Sequence, residues 1–82
     1  MPQIIVKSDY DGYFESLARK ILGYAENPKY KFIEVTAGPY RADALSVRRV
    51  DDTTVQLDFY SAIRNGFGSL SENDLVEAAK LI

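Results

Sequence analysis

Residues 44–60 read ALSVRRVDDTTVQLDFY, and how this stretch folds back on itself decides the architecture. Leu45 and Val47 alternate with Ser46 and Arg48, while Val55, Leu57 and Phe59 alternate with Gln56, Asp58 and Tyr60. A period of two marks a half-buried strand, because successive side chains leave a strand on opposite faces. The acidic pair Asp51-Asp52 between two such runs suits chain reversal and predicts a hairpin. Keeping both apolar sets on one face requires Val47 opposite Leu57 and Leu45 opposite Phe59, since a slip of one residue turns a whole strand over. The other face then sets Arg48 opposite Gln56, Ser46 opposite Asp58 and Ala44 opposite Tyr60. That register leaves three or five loop residues around Asp51-Asp52-Thr53.

Upstream, KYKFIEVTA (residues 29–37) reads as a strand with Ile33, Val35 and Ala37 on one face, broken by Gly38-Pro39-Tyr40. Before it, SDYDGYFESLARKILGYAENP (residues 8–28) changes period. Tyr10, Phe14, Leu17, Ala18, Ile21 and Ala25 recur at helical spacing, with Glu15, Arg19, Lys20 and Glu26 on the other side. Ser8, Asp9 or Asp11 supplies a cap, and Asn27-Pro28 ends the helix because proline disfavours helical backbone in the residue before it. QIIVK (residues 3–7) is a short β-branched run and opens the chain as a strand. At the other end, Ser71 as N-cap, Asp74 three residues on and Leu70 facing Leu75 predict a capping box with a hydrophobic staple. Leu75, Val76, Ala79 and Ile82 form that helix's apolar side. The expected fold is a small single α+β domain over residues 1–82 in the order β-α-β-β-β-α. Its sheet is expected to be mostly antiparallel, with the helices packed on one face.

At 82 residues the chain has room for one core, and a chain of this size buries only about 60% of the surface it exposes when unfolded. Little of that core is free to enclose a cavity, so no large cofactor is expected. There is no cysteine and no histidine, which removes disulfides, thiolate metal sites, the most nucleophilic side chain and the usual general base near neutral pH. Asp51 and Asp52 are adjacent in a turn rather than converging as an acid pair, so no enzymatic activity is expected. Asp9, Asp11 and Gly12 suggest a calcium loop, but placing Gly12 sixth in such a loop puts Lys7 first and Ala18 twelfth, where oxygen ligands belong. These acids read as helix caps, and no metal site is expected. NGFGSLSEN (residues 65–73) lacks the lysine of a phosphate loop and places Glu72 and Asp74 where the anion would sit.

The net charge is −2, and summed by segment it is −1 over residues 1–28, +1 over 29–64 and −2 over 65–82. No segment carries the clustered cations of a general nucleic-acid binder. No apolar run approaches the roughly 20 residues of a membrane helix, and MPQIIVK is too short and too weakly basic for a signal peptide. A soluble cytoplasmic protein, monomeric or a small homo-oligomer, is expected. Its size and lack of cysteine are frequent among inhibitors and immunity proteins of phages and mobile elements.

Six tyrosines and four phenylalanines are many for this length. Periodicity assigns Phe14, Phe32 and Phe59 to the core, with Tyr10 or Tyr13 facing the sheet. Tyr40, Tyr60 and Phe67 are left over, and Arg41, Arg48 and Arg64 lie near them in sequence or in the hairpin register. Tyrosine and arginine are favoured at binding hot spots, since each buries much area at modest entropic cost. Tyr40, Arg41, Arg48, Tyr60, Arg64 and Phe67 are therefore the candidate contact residues. Phe67 lies between the Asn65-Gly66 turn and Leu70 and reads as an anchor or rim residue, with Arg64, of opposite parity to Ile63, the better contact. The leading expectation is a non-catalytic interaction protein that binds a protein or nucleoprotein partner as an inhibitor or regulator. The last five elements, α-β-β-β-α, resemble in their order a double-stranded-RNA-binding domain, which implies nucleic-acid binding as an alternative. No basic cluster opens the last helix, where such domains hold phosphates. A third expectation is a structural subunit that self-associates through an exposed strand edge.

Overall fold

A computed structural model of the chain describes residues 2–38, 41–62 and 70–82. Six elements form in the expected order: β1 (Gln3–Val6), α1 (Tyr13–Tyr24), β2 (Phe32–Ala37), β3 (Ala44–Arg49), β4 (Thr54–Tyr60) and α2 (Glu72–Ala79). The expectations for Tyr40, Ile63, Arg64, Phe67 and the Asn65-Gly66 turn lie outside the described residues.

The hairpin has the register that its alternation dictates. Leu45 pairs with Phe59, Val47 with Leu57, Arg48 with Gln56, Ser46 with Asp58 and Ala44 with Tyr60. The Val50 amide donates to the Thr54 carbonyl at 3.0 Å, so three residues, 51–53, make the turn. Asp51 Oδ1 accepts from both the Thr53 amide at 2.8 Å and its hydroxyl at 2.9 Å, the local side-chain turn that makes aspartate a favoured turn residue.

The strand order is β1-β2-β4-β3, and this corrects the expected mostly antiparallel sheet. β1 and β2 are parallel, β2 and β4 are parallel, and only β3 runs antiparallel to its neighbour. Helix α1 carries the chain back over the sheet between β1 and β2, which restores the strand direction. After β2 the chain passes the neighbouring position, runs down β3 at the edge, and turns into the gap as β4. Two reversals bring β4 parallel to β2, giving a mixed sheet in an α+β domain.

Both helices pack on one face. Phe14, Leu17, Ala18 and Ile21 of α1 and Leu75, Ala78 and Ala79 of α2 are buried in one cluster with Ile33, Val35, Val55, Leu57 and Phe59. Phe14 and Phe59 stack obliquely with ring centroids 5.2 Å apart, and Tyr13 meets the Phe14 ring edge-on at 5.0 Å. Helix α1 begins later than its apolar spacing suggests. Gly12 occupies the N-cap with φ 71°, a left-handed conformation that glycine adopts at no steric cost, and a Cβ there would meet nothing within 4 Å. The constraint at this position is conformational rather than spatial. Asp9, one of the expected caps, accepts from the Phe14 amide at 2.9 Å.

Tyr10 therefore precedes the helix and is exposed, while Tyr13 packs against the core. Phe32 is a second correction: it has the opposite parity to Ile33 and Val35 and lies half-buried on the sheet's other face. On α2 the capping box forms as expected, with the Asp74 amide donating to Ser71 Oγ and the Ser71 amide to Asp74 Oδ2 at 2.9 Å. Ala78 rather than Val76 completes the buried stripe, because the helix presents a slightly rotated face to α1 and β3.

Candidate interaction surface

The sheet face opposite the helices is covered by no helix or strand among the described residues. Strand parity fixes what stands on it. One row across the sheet holds Ile5, Glu34, Gln56 and Arg48, and the next holds Thr36, Asp58 and Ser46. Gln3, Phe32 and Thr54 flank the first row, and Tyr60 with Ala44 closes the far end.

Polar groups in the first two rows bind one another. Lys7 Nζ lies 2.5 Å from Glu34 Oε1, Arg48 Nη2 donates to Gln56 Oε1 at 2.5 Å, and Gln56 Nε2 donates to Thr36 Oγ1 at 3.4 Å. Three strands, β2, β4 and β3, are thereby stitched across the face through Gln56, which bonds both Thr36 and Arg48. Between these groups stand apolar surfaces. Ile5 is 50% exposed and Tyr60 46% exposed, and Phe32 is half-buried at the Ile5 end of the face, away from Tyr60. Charges balance locally, with Lys7 and Arg48 set against Glu34 and Asp58.

The sequence-derived contact residues do not form one patch. Arg48 and Tyr60 share the open face on adjacent strands, but they sit four residues apart along it, about 13 Å at the rise of a strand. Arg41 lies elsewhere: its guanidinium carbon is 4.8 Å from the centroid of the Tyr13 ring, a cation-π contact at the start of α1. Tyr40, Arg64 and Phe67 fall outside the described residues. Parity carried the signal for Ile5 and Phe32, because both alternate with core residues. A preference for tyrosine and arginine passed over them.

Asp43 is the one buried charged residue among those described, 7% exposed. Its carboxylate accepts from the Ala62 amide, while its own amide donates to the Tyr60 carbonyl at 3.3 Å. It ties the end of β4 to the start of β3 and so fixes where the chain leaves the sheet.

Shifted titration is confined to exposed groups with simple causes. The Tyr24 hydroxyl donates to Glu72, joining α1 to α2, and Lys20 Nζ lies 3.4 Å from the same carboxylate. That hydroxyl first, and Lys20 second, hold the Glu72 carboxyl below its ordinary range, and the same bond pushes Tyr24 up. The Thr53 amide and hydroxyl hold Asp51 low. None of these groups converges on a cleft. Among the described residues no group of three acidic side chains is placed to hold a metal ion, and no helix is long and apolar enough to cross a membrane.

No family model, curated protein or solved structure matches this chain.

Proposed function

We propose that this chain is a non-catalytic interaction protein that binds a protein partner through the open face of its sheet, acting as an inhibitor or regulator. The observation that carries this reading is the composition of that face: exposed Ile5 and Tyr60 and half-buried Phe32 stand among polar side chains already ordered by mutual bonds. A pre-ordered surface loses little side-chain freedom on association, and apolar groups amid satisfied polar ones resemble the core and rim of an interface. The near balance of Lys7 and Arg48 against Glu34 and Asp58 favours a protein over a polyanion, whose binding rests on an excess of cations.

Capture of a partner from host lysate by the immobilised chain, compared between wild type and the double variant Arg48→Ala, Tyr60→Ala, tests the face. The variant is expected to lose the captured protein while its melting temperature stays nearly unchanged. Equal capture by both overturns the reading.

A further inference from the structure

The two edges of the sheet are unequal, and the difference points to an occupant for one of them. At the outer edge of β1, the amides of Gln3 and Lys7 turn inward to β2, so a short segment beginning at Pro2 remains free, and proline has no amide to offer. This edge is guarded in the usual way.

β3 lacks such protection. It is six residues long with neither proline nor glycine. The Val50–Thr54 bond fixes its even-numbered residues toward β4, because bonded pairs in an antiparallel ladder recur every second residue. The Phe32 amide donating to the Thr53 carbonyl at 2.9 Å gives the same phase, since it turns the odd-numbered groups of β4 toward β2. Leu45, Val47 and Arg49 therefore direct their amides and carbonyls outward along a regular edge with which no strand among the described residues pairs. Beside it, Leu45 and Val47 are only partly buried and form, with Leu70, Ala78 and Leu81 of the α2 region, the apolar part of a groove of about 350 Å³ that Ser46, Asp74 and Glu77 also line. Leu81 is 54% exposed.

We infer that β3 pairs with β3 of a second copy of this chain, antiparallel, about a two-fold axis through Ser46, joining two four-stranded sheets into one of eight strands. The sequence of β3 is self-complementary in this register. Leu45 stands opposite the partner copy's Val47, and Val47 opposite its Leu45, so the apolar positions meet on the helical face. On the open face, Ser46 meets Ser46, and each Arg48 meets the small Ala44. Asp43 stays turned into its own copy, where its carboxylate holds the Ala62 amide and its amide the Tyr60 carbonyl, so the paired stretch is residues 44–48 and each Arg49 lies beyond its end. Moving the axis to Val47 would instead set each charged Arg49 against the apolar Leu45 of the other copy. Where the two α2 helices approach, Glu77 already carries a counter-charge from Lys80 at 3.1 Å. A two-fold normal to the sheet keeps both pairs of helices on one side. The two open faces become continuous on the other, a surface twice as long for a partner.

Since the chain has no cysteine, Ser46→Cys places one thiol per copy on the axis, in a pair whose Cα separation suits a disulfide, about 4.5–5.5 Å. Mild oxidation is expected to convert Ser46→Cys into a covalent dimer and to leave Arg48→Cys unlinked. Sedimentation of the wild type is expected to show a concentration-dependent dimer. Ser46→Glu, which sets two carboxylates face to face at an exposed position, is expected to weaken it by about fivefold or more with unchanged circular dichroism. A wild-type chain that sediments as a monomer at every concentration overturns the pairing. So does an Arg48→Cys variant that links as readily as Ser46→Cys. Dimerisation stands or falls independently of partner binding, because sedimentation reads one and capture by the Arg48, Tyr60 variant reads the other.

Discussion

The two faces of the sheet are made by the same strands and differ only in residue parity, yet they divide the work of the molecule. On the helical face Ile33, Val35, Val55 and Leu57 are fully buried at 0% exposure. One residue along each strand, Glu34, Thr36, Gln56 and Asp58 are partly open to solvent, with Glu34 paired to Lys7 and Gln56 bonded to Thr36 and Arg48. The first face holds the fold together by excluding water and by close contact. The second adds little to folding and is therefore free to be shaped for association. A small domain whose whole stability rests on one face has little tolerance there and much on the other.

The sharpest way to break this comparison is to cut into the buried face. Phe59→Ala removes the ring against Phe14 and is expected to cost about 3–5 kcal/mol in urea denaturation, enough to unfold much of so small a domain. Asp43→Ala leaves the Ala62 amide without its acceptor and is expected to cost about 1–3 kcal/mol, with Asp43→Asn recovering part of it. Ser71→Ala breaks the capping box of α2, an expected loss of about 1 kcal/mol.

Smaller still is the effect of Tyr24→Phe, and its signature is pH dependence. The Glu72 carboxyl is held low in the folded chain, so its contribution is present above the ordinary carboxylate range and is lost as pH falls through the lowered value. Tyr24 is raised, so its contribution is present below its ordinary range and is lost as pH rises through the raised value. The denaturation midpoints of wild type and Tyr24→Phe are expected to differ most near neutrality and to converge as pH falls through the lowered Glu72 range. A constant gap would assign the tyrosine's effect to packing. At the bottom of the scale, Asp58→Ala on the open face is expected to change stability by less than about 0.5 kcal/mol. A large loss there would show that the open face is part of the folding core and would erase the distinction between the two.

Legibility in the sequence followed the range of the interaction. The β3–β4 register could be read because a short turn joins the strands, and alternation then leaves one arrangement that buries both apolar sets. The Ser71–Asp74 box was legible because its partners are three residues apart. Arg48 and Tyr60 were placed on one face for the same reason. Phe32 was misassigned by its hydrophobicity, although its parity with Glu34 and Thr36 put it on the open face. Tyr10 fitted the helical spacing, but the left-handed turn at Asp11 and Gly12 starts α1 after it. The contact of Arg41 with Tyr13 joins residues far apart in the chain, and no local pattern announces it.

The sequence by itself determined the element order, the faces of the strands, the hairpin register and the cap of the last helix, because each is set by periodicity or by groups a few residues apart. Only the tertiary structure decided that β4 lies between β2 and β3 and runs parallel to β2, which leaves β3 at the edge of the sheet. Strand order depends on which distant segments exclude water together, and alternation along one strand is the same whichever neighbour it finds.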